Sequence, residues 1–440
     1  MRGIEGALQV LGEVEKGAFA SEALRKVWND IEQAERNLTA TLVYLTERRL
    51  GLWRHLLARY CKRPTDSLHP ETVRVLIMGI AGVLELEHFK PGVLVNALVQ
   101  KIKTLKGRDD PAREAALVNA VLHTIIEKAP KYVEELRSST ALRDQALALG
   151  VPGWVAAQWS KDWDMKDAKH LLQLTTAQTY LSARLSPHVD REAWIAAGEE
   201  KATTSEISPH AVRFESNPYP PQLPGYTSGE ITPQGESSIW AVEELLAHWK
   251  GDQLLDMCMG RGVKAGHVLS YRESAHVTGW DLSQSRLNAA QKEFARLGAS
   301  ERATTLAGDS LTMEPSEQPE AILLDAPCTG SGTWGRHPEG KWRAAPEKLR
   351  RAAELQRGLF ARAADILRPG GTLMYCTCSL FREENENVIG SVLSSRQDLV
   401  EIPPRTKNAA IRRGKPYGAV MLPGSPWMDG FYIAIFRKKG

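Results

Sequence analysis

Along the first 130 or so residues, apolar positions recur at helical spacing. In TATLVYLTERRLGLWRHLLARY, Leu42, Leu45, Leu52, Leu56 and Tyr60 fall near one face of a helix. ETVRVLIMGIAGVLEL, PGVLVNALVQKIKTLK and PAREAALVNAVLHTIIEK read the same way. Pro91 and Pro111 stand at helix starts, where a missing N–H costs nothing. The stretch KGRDD separates the last two helices. Short loops between amphipathic helices predict an all-α bundle over residues 1–135.

From 136 to 234 the pattern is mixed and predicts a connecting subdomain. VPGWVAAQWSKDW reads as a helix and QTYLSARLSP as a strand. ESNPYPPQLPGYTSGEITPQG, rich in Pro and Gly but with aromatics, reads as an irregular connection rather than a disordered linker. Residues 235–440 alternate strand, turn and helix. QLLDMC, HVTGWD, ATTLAGD, AILLDAP and GTLMYCTCS are short apolar runs, separated by helical patterns such as SQSRLNAAQKEFARLG and PEKLRRAAELQRGLFARAADIL. This rhythm predicts an α/β domain, a parallel sheet with helices on both faces. Ligands of such sheets bind beyond the carboxyl ends of the strands, where Asp256, Asp281, Asp309 and Asp325 all fall.

The composition, 42% apolar and 25% charged, is that of an ordinary soluble chain. No run of eighteen apolar residues predicts a membrane span, and MRGIEGALQVLGEVEKG lacks the apolar core of a secretory signal. Five cysteines in 440 residues argue against a disulfide framework and for the cytoplasm. The net charge of +3 is small, but cations cluster. Nine Lys/Arg face four acids between Arg336 and Arg368, and RTKNAAIRRGK at 405–415 has five cations and no acid. Such excess suits a phosphate backbone, although taken alone these clusters favour a solvated helix face.

LDMCMGRGVKAGHV follows the first strand, with Gly260, Gly262 and Gly266 permitting a tight turn and close approach to a ligand. Its glycine spacing is one residue too long for the dinucleotide fingerprint. Asp281, ending the second strand, can accept the hydroxyls of a ribose, and Asp309 can meet an adenine edge. Acids after successive strands would repel a pyrophosphate and welcome a sulfonium, which favours S-adenosylmethionine over NAD. The bland reading is that an Asp after a strand caps the next helix. Cys376 and Cys378 share a face of one strand, so spacing leaves open which of them reacts. Cys258 and Cys376 read as small core residues, and no second Cys or His pair completes a metal site.

DAPCTGSGTWGRHPEGKW, YCTCSLFREENENV, PQGESS and MDGFYIA resemble the RNA (cytosine-5) methyltransferases of the bacterial RsmB, or Sun, type. VLVNALV and ALVNAVL resemble the NusB-like RNA-binding domain that such enzymes carry. The resemblance implies a Rossmann-like class I methyltransferase domain at 235–440 behind the NusB-like bundle. It assigns the nucleophile to Cys378, adduct release to Cys328 and a base N3 contact to Asp325. Cofactor contacts are implied for Cys258, Met259, Gly260, Arg261, Gly262, Val263, Lys264, Asp281, Asp309 and Asp325. The family's first loop reads Cys-Ala-Ala-Pro-Gly-Gly-Lys, so Arg261 and Val263 depart from it.

Cytosine C5 is a poor nucleophile, and addition of a thiolate to C6 turns the ring into an enamine that takes a methyl group. A free thiol needs a cationic setting to ionise at pH 7. The base must be unstacked, and Arg336, His337, Lys341, Trp342 and Arg343 offer cations and an aromatic face for such a strand. The expected partner is RNA, small-subunit rRNA on the resemblance, with a monomeric protein, no membrane and no metal. The rivals are a tRNA methyltransferase and an RNA-binding factor whose altered loop no longer holds the cofactor.

Overall fold

Prolines at the first turn open the helices Pro70–Glu85, Pro91–Thr104 and Pro111–Ser138, and the Asp110 carboxylate accepts from Arg113 N at 2.9 Å to cap the third. The computed structural model describes residues 2–28, 30–87, 89–105, 107, 109–198 and 201–440; Lys106 and Arg108 of the KGRDD stretch lie outside them. The chain divides into two units, one of residues 1–177 with 334–343, the other of 178–333 with 344–440.

The helical unit begins Arg2–Glu15, Ala20–Trp28, Gln33–Arg48 and Leu50–Tyr60. Its core joins Leu42, Trp53, Leu56, Leu98 and Leu122, all fully buried. The expected boundary at 135 is corrected. The helix Pro111–Ser138 runs through Pro130, which is exposed and removes one backbone hydrogen bond without touching the buried face. Three more helices, Leu142–Ala148, Gly153–Asp162 and Met165–Leu174, belong to the same unit. They bury Ala146, Val155, Trp159 and Leu171.

The second unit opens with a four-stranded antiparallel sheet, in the order Ala202–Thr204, Ala211–Phe214, Ser182–Leu185, Ile231–Pro233. Much of the expected connecting subdomain is therefore a sheet, with Phe214 and Ile231 in its own core. The larger sheet has nine strands: β1 (Gln253–Asp256), β2 (His276–Asp281), β3 (Ala303–Ala307), β4 (Ala321–Asp325), β5 (Thr372–Thr377), β6 (Leu399–Ile402), β7 (Ile411–Arg413), β8 (Ala419–Met421) and β9 (Phe431–Lys438). Their order is β7-β8-β9-β5-β4-β1-β2-β3, with β6 also paired to β9. The five strands anticipated from sequence are mutually parallel. The sheet is not wholly parallel, however: beyond β5 every pairing is antiparallel. No helix lies between β6 and β9 to supply a parallel crossover. Trp240, Val268 and Phe294 from the flanking helices pack with Leu254, Leu323 and Ile433 of the sheet. No described helix is long and apolar enough to cross a membrane.

Candidate active site

The register of β4 on β5 pairs Asp325 with Cys376, so two loops leave neighbouring parallel strands together. One carries Cys328 and the other Cys378, and their sulfurs stand 3.4 Å apart as free thiols. Cys378 and Cys328 are half-buried, whereas Cys376 is fully buried, as expected for a core cysteine. Its thiol also donates to Asp325 Oδ1 at 3.5 Å, and Lys264 Nζ donates to Asp325 Oδ2 at 2.5 Å. Lys264 was expected at the cofactor; it lines the cleft but spends its ammonium on Asp325. Burial opposes that charge, yet Asp325 above all, with Cys376 and Cys378, raises the lysine pKa. Cys328 is pushed well above an ordinary thiol, first by its hydrogen bond with Cys378 and then by burial. Two thiols in contact cannot both ionise cheaply.

Sequence reasoning missed what holds these loops. Glu384, fully buried, accepts from Thr329 N at 2.8 Å, Thr329 Oγ1 at 2.5 Å and Gln356 Nε2 at 3.1 Å, and also from Ser379 Oγ. Gln356 Nε2 further donates to Pro327 O at 2.8 Å. Gly332 N donates to Cys378 O at 2.8 Å, and Asn385 Oδ1 accepts from Thr377 Oγ1 at 2.6 Å. One carboxylate thus ties the residue after Cys328 to the residue after Cys378. The acid-rich run FREENENV gave no signal that sets Glu384 apart from Glu383 and Glu386.

A cleft of about 440 Å³ opens from the cysteines along the ends of β4, β1 and β2 to Asp309. Cys258, Met259, Gly260, Arg261, Val263, Asp281, Asp309, Asp325, Cys328 and Cys378 all line it. Two expectations are corrected. Cys258 is a half-buried lining residue, not core. Gly262 is not on the lining; with φ +76° it packs on the helix Gln284–Arg296, where a Cβ would meet Phe294 at 2.8 Å. Gly266 likewise faces Leu297. Gly260, at φ +58°, has open space where a Cβ would stand, so a ligand can approach its backbone. Asp281 accepts from Gly260 N at 2.9 Å and Ser283 N at 2.8 Å. That is partly the capping reading, yet each oxygen keeps a lone pair for a ligand. Asp309 is exposed, with Oδ1 accepting from Leu311 N at 3.0 Å. Leu282, 77% exposed, and Leu355, 40% exposed, were not anticipated; they flank the cleft as an apolar wall for a flat ring. Burial, reinforced by Asp325, raises Asp256 to about 7.

Of the five residues expected at the RNA, Lys341, Trp342 and Arg343 spend side-chain donors within the protein. Trp334–Arg343 belongs to the helical unit. Lys341 is fully buried and donates to Arg48 O at 2.7 Å and Thr175 O at 3.0 Å, carbonyls at helix ends. Trp342 Nε1 donates to Glu47 O at 2.8 Å, and Arg343 reaches Val14 O at 3.3 Å and Ala18 O. The unpaired carbonyls of helix C-termini attract these donors more strongly than water does. Arg336 and His337 are half-buried, the His337 ring lying 5.6 Å from Phe19.

Residues 243–437 match the family described as 16S rRNA methyltransferase RsmB/F, and residues 5–127 match the NusB family. The chain is 30% identical over 443 residues to the ribosomal RNA small subunit methyltransferase B of Thermus thermophilus, covering 98% of this chain and 96% of that one. It is 29% identical to the protein of the same name from Enterobacter, over 97% and 96% of the two chains. The crystal structure of PH0851 superposes with a TM-score of 0.81 at 22% identity, covering 99% of this chain and 98% of that one. NSun6 from Pyrococcus horikoshii gives 0.59 at 17%, over 66% and 98%. These structures share the fold.

Proposed function

This chain belongs to the 16S rRNA methyltransferase RsmB/F family, and on that premise we infer how its own residues methylate C5 of a cytosine in small-subunit rRNA. It is an S-adenosylmethionine-dependent RNA methyltransferase. S-adenosylmethionine supplies the electrophilic methyl group. The residues fit it: Asp281 for the ribose, Asp309 and Leu282 for the adenine, and the open backbone at Gly260 beside the cleft floor. The departures at Arg261 and Val263 leave that space open.

The observation that carries the mechanism is the thiol pair at 3.4 Å beside the Lys264–Asp325 pair. Cys378 adds to C6 as a thiolate, with Lys264 as the cation that favours it. Asp325, oriented by Lys264 and Cys376, meets ring N3 as charge develops there. Once the Cys378 sulfur is bonded to C6, Cys328 no longer faces a second thiolate and gives its proton to solvent. Its thiolate then takes the C5 proton, the C5–H electrons restore the C5–C6 double bond, and Cys378 leaves as thiolate. Neither orphan thiol pair nor buried Glu384 latch has a use in a protein that only binds RNA. The protein acts as a cytoplasmic monomer on this reading, which its free cysteines support. Bisulfite sequencing of rRNA from a deletion strain tests it: loss of one methylated cytosine in 16S rRNA is expected, and unchanged rRNA with a lost tRNA site would move the activity to tRNA.

A further inference from the structure

The acid-free stretch from Ile402 to Met428 contains five exposed cations, Arg405, Lys407, Arg412, Arg413 and Lys415, and the reaction uses none of them. Its place in the sheet is defined by register. Thr377, the residue before Cys378, pairs with Tyr432; Tyr432 pairs with Val420; Val420 pairs with Arg412. Arg412 therefore lies in the same row as the end of β5, three strands away, or about 14 Å at the usual strand spacing. β7 runs opposite to β5, so the loop entering it lies at the carboxyl ends of the parallel strands, on the cleft side.

The loop is held, not dangling. The buried carboxylate of Glu244 accepts from Arg405 N at 2.8 Å and Thr406 N at 2.7 Å, and from Thr406 Oγ1. This leaves Lys407 facing outward beside an open groove of about 510 Å³, lined also by Thr406, Asn408 and Arg413. Arg413 is 3.1 Å from Glu401, and Glu386 lies beside Gly414.

We propose that this edge, Lys407 and Arg412 foremost, binds backbone phosphates of the RNA next to the target cytosine. The inference rests on the reading of the chain as an RNA methyltransferase. A strand spanning about 14 Å is short compared with the roughly 4–16 nucleotides that single-strand-binding folds track. The competing use of edge cations is to keep an open strand from pairing with another sheet. That use needs cations on β7 but not on the pinned loop before it.

The test is RNA affinity against salt concentration, with in-vitro transcribed small-subunit rRNA and the full chain. K407Q/R412Q should bind more weakly, with the slope of log affinity against log salt shallower by about 1.4, at 0.7 per single-strand phosphate. K250Q/K292Q, which removes the same charge outside the patch, should keep the wild-type slope. Titration with S-adenosylmethionine should match wild type in both variants. A wild-type slope and affinity in K407Q/R412Q would overturn the proposal, and self-association of that variant alongside would assign the cations to edge protection. If the wild-type chain leaves the transcript unmethylated, the methyltransferase reading itself falls.

Discussion

Cys328 and Cys378 differ in the kind of defect their loss should cause. Cys378→Ala should abolish methyl transfer, because no other group makes C5 nucleophilic. Cys328→Ala should still attack and methylate but stall, leaving a covalent protein–RNA adduct. A denaturing gel with labelled RNA distinguishes them, and an adduct from Cys378→Ala alone would exchange the two roles. The sequence left the reactive cysteine open between Cys376 and Cys378, since both lie on one face of a strand. Depth favours Cys378, because Cys376 is fully buried and Cys378 is half-exposed beside Cys328. Asp256 adds a pH dependence. Its carboxyl ionises at about 7 in the fold, against 3.8 ordinarily, so the fold holds a proton that the unfolded chain has lost. The stabilisation from Asp256 is thus complete below about pH 3.8 and declines as pH rises through about 7. Asp256→Asn should flatten that part of the stability profile in urea titrations. A cationic ligand favours the ionised form, so S-adenosylmethionine affinity should rise across pH 7 in wild type and not in the variant.

Five strands and their order of appearance were legible as short apolar runs ending on acids. The antiparallel extension was not, because three-residue strands such as β7 and β8 carry no period. The glycine loop was half legible. Its turn was clear, but only packing shows that Gly262 serves a neighbouring helix while Gly260 serves the ligand. Glu384 was invisible as a device, since a carboxylate that links two strand-end loops has no signature in spacing. Its removal should be informative. In Glu384→Ala, Thr329 and Ser379 lose their acceptor and the two cysteines lose their fixed separation. A displacement of about 1 Å can cost roughly a hundredfold in rate. Single-turnover kinetics should show a loss of that order with S-adenosylmethionine affinity kept; an unchanged rate would make Glu384 structural only.

Arg336, His337, Lys341, Trp342 and Arg343 were expected at the RNA, and in the molecule the segment Trp334–Arg343 that carries them belongs to the helical unit. Its lysine and arginine were expected as cations and its tryptophan as an aromatic face for a strand, whereas here they donate to carbonyls far away in sequence. Lys341→Met should leave the Arg48 and Thr175 carbonyls buried without a partner, at about 1–3 kcal/mol each. Urea unfolding should show a lower midpoint for the helical unit, and an unchanged midpoint would mean that the ammonium's own burial cancels its bonds. The same arrangement sets a timetable for synthesis. Ribosomes add roughly 5–20 residues per second, so the 166 residues between Ala177 and Arg343 take on the order of 10 to 30 s. For that interval the newborn helices wait with Arg48 and Thr175 uncapped, and a chaperone or solvent water must stand in until Lys341 emerges.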